Sequence, residues 1–331
     1  MSGKAKRLDK HESRIGRILR AEEFGVVVAI VGVVIVAMSL TPNFAVGTNV
    51  NTILQQVSYV AICAAGMSLV VICGEIDLSI GSIYGLGAVM YTWLSVKMDW
   101  PILPSIVVTL LLGVFLGWLN GYVSVRLNIP SFVVTLAGLG ALRGATLLIS
   151  GGVPIYAKES KTFSGLVGGS FLGISAQVYW MVALCTIVGV VLAKTKFGSD
   201  LYAIGGNKVA AQNAGINVAK VKIQSFMLSS FLATWAGIML VGWLGSSNPL
   251  TGQGQELLIV GAIAVGGASL FGGSGTILGA TLGAIVGGLI TNVLVLVGVN
   301  GNWTFVANGL LILAAVVINT LVAQKRKTLR T

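Results

Sequence analysis

ILQQVSYVAICAAGMSLVVIC–GEIDLSIGS–IYGLGAVMYTWLSVK, residues 53–97, sets two long apolar runs back to back around a short acidic insertion. A helix crosses the hydrocarbon core of a bilayer in about 20 apolar residues, so 53–73 and 80–97 each predict a span. Working outward, the same signal recurs at 23–41, 102–125, 131–150, 177–193, 223–244, 257–271, 276–298 and 303–323. The runs 257–271 and 276–298 repeat the opening arrangement, separated only by FGGSGT. The expected fold is all-α, a polytopic integral membrane protein of about ten transmembrane helices, two pairs of them interrupted.

Composition agrees. Of 331 residues, 55% are hydrophobic and 9% charged. A soluble domain carries about 25% charged residues because water must wet its outside. The net charge of +11 does not point to nucleic acid, because the basic residues form no stripe interleaved with aromatics. They gather where topology signals belong. With the N-terminus inside, seven lie in the arm 1–22, one is Arg126, five lie in 194–222 and four in the tail 324–331. Only Lys97, Lys158 and Lys161 then fall outside, which predicts N-in and C-in and contact with anionic lipid. The run 24–40 is too long for a cleaved leader and lacks a small-residue cleavage site, so it is expected to remain as the first span. A single membrane domain, 23–323, thus lies between two basic cytoplasmic ends.

Cys63, Cys73 and Cys185 lie in apolar runs without CxxC spacing, and the one histidine, His11, is in the arm. No metal site is expected, and the thiols read as packing residues. No GxxxxGK[ST] is present, so this chain is not expected to be an enzyme that hydrolyses nucleotide. Two loops exceed the 2–8 residues, roughly, that join helices in a bundle: 151–176 on the outside and 194–222 on the inside. The inner loop contains a helix-like stretch, Lys208 to Ala214. Loops of this kind on both faces imply partners on both.

Few residues carry charge or amide chemistry inside the spans. Glu75 and Asp77 lie in the GEIDLSIGS interruption, where carboxylates border hydrocarbon at a cost. Asp77 and Ser79 suit a cap for the third span, and the segment suits equally a polar lining or gate of a translocation path. Arg143 needs a carbonyl or anionic partner within the protein, with structural pairing and a place near the path both open. Glu256 suits the start of its helix. Asn120, Asn292, Asn308 and Asn319 are amides that serve interhelical hydrogen bonds as well as sugar hydroxyls. Glycine numbers 45, and Gly275, Gly279, Gly283 and Gly287 recur every four residues, a smooth stripe for packing, a subunit interface or a path wall. GSIYG (81–85) and GTILG (275–279) echo each other, as a duplicated half would.

Four segments resemble the permeases of ribose-type bacterial ABC sugar importers: GEIDLSIGS (74–82), LNGYVSVRLNIPSFVVTLAGLGALRG (119–144), LYAIGGNKVAAQNAGI (201–216) and VGGASLFGGSGTILG (265–279). The likeness runs from about residue 45 to 320. It implies a permease that pairs with a second copy of itself in the bacterial inner membrane. A cytoplasmic ATPase subunit that uses ATP and Mg drives it, and a periplasmic sugar-binding protein loads it. It implies also that Asn207, Ala210, Ala211, Gly215 and Ile216 belong to the loop that docks on the ATPase, with Val209 where many importers carry Glu. Glu75, Asp77, Ser79, Asn120 and Arg143 become candidates for the path or its gate. An ion-coupled transporter or channel for a small polar solute is the competing reading. It needs no Ala-Ala-x-x-x-Gly loop. A membrane enzyme would need a nucleophile–base or metal set, and none is visible.

Overall fold

The computed structural model describes residues 24–158, 160–300 and 302–328. The basic arm 1–22, with His11, and Arg330 of the tail lie outside them. The helices are α1 (Phe24–Leu40), α2 (Gly47–Ile72), α3 (Ile80–Thr92), α4 (Ile102–Arg126), α5 (Ser131–Ser150), α6 (Ala176–Lys194), α7 (Lys196–Gly206), α8 (Lys208–Asn213), α9 (Val218–Leu244), α10 (Gln255–Val265), α11 (Ile277–Leu296) and α12 (Trp303–Thr328). Every apolar run falls on one of them. Six are long and apolar enough to cross a membrane: α2, α4, α5, α6, α9 and α11. β-Structure is confined to two ribbons of two-residue strands, β1 (Ile155–Tyr156) with β4 (Ser246–Ser247), and β2 (Ser170–Phe171) with β3 (Ile174–Ser175).

The outside of the bundle is apolar as well as its core. The most apolar window of α2 is 94% buried, against 11% for that of α5. Side chains such as Leu111, Leu136, Ile187 and Leu310 point outward from the bundle. Lipid replaces water as their solvent, and the backbone is satisfied within each helix. α2 and α9 lie against each other at the centre. α9 packs on α3 and α4, while α2 packs on α10 and α11; α3 meets α5 as α10 meets α12. This is a duplicated pattern of contacts. It pairs α3 with α10, however, rather than aligning the Gly81 and Gly275 segments of the sequence echo.

Both interruptions have one physical cause. At the end of α2, Gly74 takes φ 83° while its N–H donates to Val71 O (2.9 Å) and that of Glu75 to Val70 O (3.0 Å). At the end of α10, Gly267 takes φ 87° while its N–H donates to Ala264 O (3.1 Å) and that of Ala268 to Ile263 O (3.2 Å). Each is a Schellman termination, which glycine permits because it has no β-carbon to clash in the left-handed region. The run 257–271 therefore ends as a helix at Val265, and residues 266–276 form an irregular connection. The run 80–97 is α-helical only to Thr92, then widens into a π-helical turn, Trp93–Lys97.

Other boundaries differ from expectation. The loop 194–222 is largely helical: α7 occupies Lys196–Gly206, capped by Thr195, whose hydroxyl accepts from the Gly198 N–H (3.3 Å). Its Phe197, Leu201 and Ile204 are too widely spaced to register as a span, yet they pack on the core. α12 continues through the basic residues of the tail to Thr328.

Candidate functional site

The connection from Cys73 to Ser79 is held from three directions. Asp77 is fully buried. Its Oδ1 accepts from the Ser79 N–H (2.9 Å) and the Ser79 hydroxyl (2.5 Å). Asn120, from the buried side of α4, donates its amide to Ser79 Oγ (2.9 Å). α5 supplies the other wall: Ser131 Oγ accepts from the Ile76 N–H (3.2 Å), and Thr135 Oγ1 accepts from the Leu78 N–H (3.0 Å). Ser82 closes the group by donating to Leu139 O (2.9 Å). Side chains of two helices thus replace the backbone partners that the interruption removed, as a buried main chain requires. Neither Asp77 nor Ser79 caps α3 through its side chain, contrary to the sequence reading. They serve the connection itself. Asp77 Oδ2 is buried without a hydrogen-bond partner.

Glu75 points away from this group and forms an ion pair with Lys222, in the second turn of α9. Their side chains are only 13% and 12% exposed, respectively. Beside the pair lies a cavity of about 530 Å³, bounded by the connection, by Ser131 and Phe132 of α5, by Ser124 of α4, and by Lys208 and Gln212 of α8.

α8 is a six-residue helix closed at both ends. Asn207 caps it, Oδ1 accepting from the Ala210 N–H (3.0 Å). Gly215, at φ 84°, terminates it by a third Schellman arrangement, with Gly215 N–H to Gln212 O (2.9 Å) and Ile216 N–H to Ala211 O (3.1 Å). Ala211 is buried and Ile216 packs on the core, while Val209 is 64% exposed. Asn207, Ala210, Ala211, Gly215 and Ile216 therefore form one compact unit. Just before it, Gly205 lies against backbone: a β-carbon there would sit 1.9 Å from Ile72 O and 2.4 Å from the Gly273 nitrogen. The Gly273 N–H donates to Ile72 O (2.9 Å), and Gly272 touches Gly74. Both interruptions meet at the entrance to α8.

Arg143 belongs elsewhere. Its Nη1 donates to Thr251 O (2.7 Å) and Pro249 O (3.4 Å), the carbonyl partners its burial demanded. Glu256 starts α10 with Oε2 buried beside Gly81, in the first turn of α3. Asn292 exchanges amide hydrogen bonds with Asn49 (2.9 and 3.2 Å), an interhelical use. Gly279, Gly283 and Gly287 face α10, where a β-carbon on Gly283 would lie 1.9 Å from Ala262 O. Gly275 precedes the helix, at φ 144°, so the stripe on α11 begins at Gly279. The cysteines are separate free thiols, and the described residues contain no cluster of three or more His, Cys, Asp or Glu suited to a metal.

Sequence reasoning missed Lys222, Ser131, Thr135, Gly205 and Gly272 as site members. Ser131 and Thr135 stood within the quoted IPSFVVT segment. Lys222 had been weighed only for topology.

A bundle of membrane-length helices around two interrupted pairs, with a capped helical loop packed beside them, fits a membrane permease subunit. The chain belongs to the family described as branched-chain amino acid transport system / permease component, matched over residues 49–316. It is 34% identical over 317 residues to the ribose import permease protein RbsC of Haemophilus influenzae, covering 95% of this chain and 97% of that protein. It is 32% identical over 300 residues to the fructose import permease protein FrcC of Rhizobium meliloti, covering 88% and 83% respectively. With the L-arabinose ABC transporter permease protein AraH of Azospirillum brasilense it shares 32% identity over 299 residues, covering 90% and 88%. No solved structure matches the chain.

Proposed function

We propose that this chain is the membrane-spanning subunit of an ATP-driven importer of a monosaccharide in the bacterial cytoplasmic membrane. The observation that carries this is α8: a short helix capped at both ends, exposing Val209 and following directly on α7, whose Gly205 lies against both interruptions. A secondary transporter has no use for such a docking element. The relatives named for ribose, fructose and L-arabinose support a monosaccharide as the substrate rather than the amino acids of the broad family description.

In this reading ten helices span the bilayer with both termini in the cytoplasm, and α8 lies on the cytoplasmic face. Two copies enclose the path. A separate ATPase, using ATP and Mg, docks on Asn207–Ile216, and an extracytoplasmic sugar-binding protein docks on the opposite face, where residues 151–176 lie. The Asp77–Ser79–Asn120 group acts as the hinge of a gate rather than as a sugar-reading surface, because its hydrogen bonds join its members to one another and to the connection.

The test is purification of the tagged chain with its ATPase, followed by deletion of Lys208–Gly215. The deletion should abolish co-purification and uptake while the chain still inserts. Uptake by vesicles containing this chain alone would refute the reading.

A further inference from the structure

We propose that the Glu75–Lys222 ion pair is a positioning element that carries movement of the docking helix α8 into the gate connection 73–79. This rests on the reading that α8 docks on the ATPase.

Three observations support it. First, α8 joins the start of α9 through a short hydrogen-bonded connection, residues 214–217. Ile216 closes α8, and Asn217 caps α9, its Oδ1 accepting from the Lys220 N–H (3.0 Å), so Lys222 rides on the structural unit that α8 displaces. Second, the pair bridges an otherwise loose region. Lys208 and Gln212 of α8 face the connection across a cavity of about 530 Å³, so dense packing does not join them there. Besides the packing of α9 and α7 on α2 and the glycine junction at Gly205, the ion pair is the link that reaches the connection itself from α9. Third, Glu75 adjoins Ile76, Asp77 and Leu78, whose bonds to Ser131, Thr135 and Ser79 hold α5 and α3 in register. A pull on Glu75 acts directly on those bonds. Little water reaches the pair, so the link is stiffer than a surface pair, and one charge left alone would be poorly solvated.

The cavity adds a second element. Lys208 is the other basic side chain facing it, and closure of that space brings Lys208 toward Glu75. Glu75 is then the acceptor common to both arrangements, one with α8 apart from the connection and one with it drawn in.

The experiment compares amide hydrogen exchange in the purified permease–ATPase complex with and without ATP plus vanadate, which needs no knowledge of the sugar. In the unaltered complex, exchange should change both in 207–216 and in 73–79. Glu75→Gln and Lys222→Gln should each keep the change in 207–216 and lose it in 73–79. The exchanged pair Glu75→Lys with Lys222→Glu should restore it, and this double variant tests the link even if a lone charge prevents assembly. A purely structural role would alter exchange in 73–79 equally in both nucleotide states. Persistence of the nucleotide-dependent change in both single variants, or its absence in an assembled exchanged pair, overturns the proposal. No change in 207–216 of the unaltered complex, by contrast, overturns the docking reading beneath it.

Discussion

Asp77 and Gly215 show what a position can demand of the residue that stands there. Asp77 uses one carboxyl oxygen for two hydrogen bonds and leaves the other buried without a partner. An amide retains the acceptor and replaces the orphaned oxygen with a neutral group, so Asp77→Asn should leave thermal stability in detergent within about 1 kcal/mol of the original. Asp77→Leu removes the acceptor and strands the Ser79 N–H, at a cost of about 1–3 kcal/mol, seen as a lowered melting temperature. Equal stability of the two variants would show that the Oδ1 bonds contribute nothing. Gly215 is a different case. Nothing lies within 4 Å of where its β-carbon would be, so space does not select glycine; its φ of 84° does. Gly215→Ala should cost α8 about 1–2 kcal/mol and weaken ATPase binding, and Gly215→Asn should cost less, since asparagine visits the left-handed region more readily. A pull-down titration with the ATPase separates the two.

At the scale of helices, glycines that look alike in the sequence do opposite things. On α11, Gly283 has the Ala262 carbonyl where a β-carbon would go, whereas on α5 Gly140 has nothing within 4 Å. Gly283→Ala must push α11 from α10 and should destabilise the chain by about 1–3 kcal/mol or more, while Gly140→Ala should leave the isolated chain's melting unchanged. A thermal shift of comparable size in both would contradict this packing. The same contrast explains what could be read in advance. Runs such as 102–125 and 131–150 announced their helices, because lipid imposes length and apolarity together. The insertions GEIDLSIGS and FGGSGT announced two interruptions, though not that the two would meet, and α10 ends earlier than its apolar run, at Val265. The contacts of Gly205 with Gly272 and of Glu75 with Lys222 join residues 67 and 147 positions apart, and no periodicity encodes such pairs. α7 escaped because three apolar side chains on one face of eleven residues look like a loop when spans are sought.

For the whole molecule, the question is what covers the outer helices. α5 is the least buried of the six long helices, and its outward face runs Val133, Leu136, Ala137, Gly140, Ala141, Leu148. Apolar side chains there are as content in lipid as in protein, so hydrophobicity alone drives no association; close backbone approach at small residues does. The pairs Ala137/Ala141 and Gly140/Gly144 have the four-residue spacing that permits it. If the proposed two copies enclose their path with α5, Gly140 in one protomer faces its counterpart in the other. The native thiols provide a quiet background, since Cys63 and Cys73 are buried and Cys185 is directed at Ala61 O (3.7 Å). Gly140→Cys should therefore yield a covalent dimer on mild oxidation in membranes, seen on non-reducing gels. Ile187→Cys, on the outward face of α6 and 57% exposed, should not. Cross-linking at Ile187 and none at Gly140 would move the interface away from α5 and assign that face to lipid.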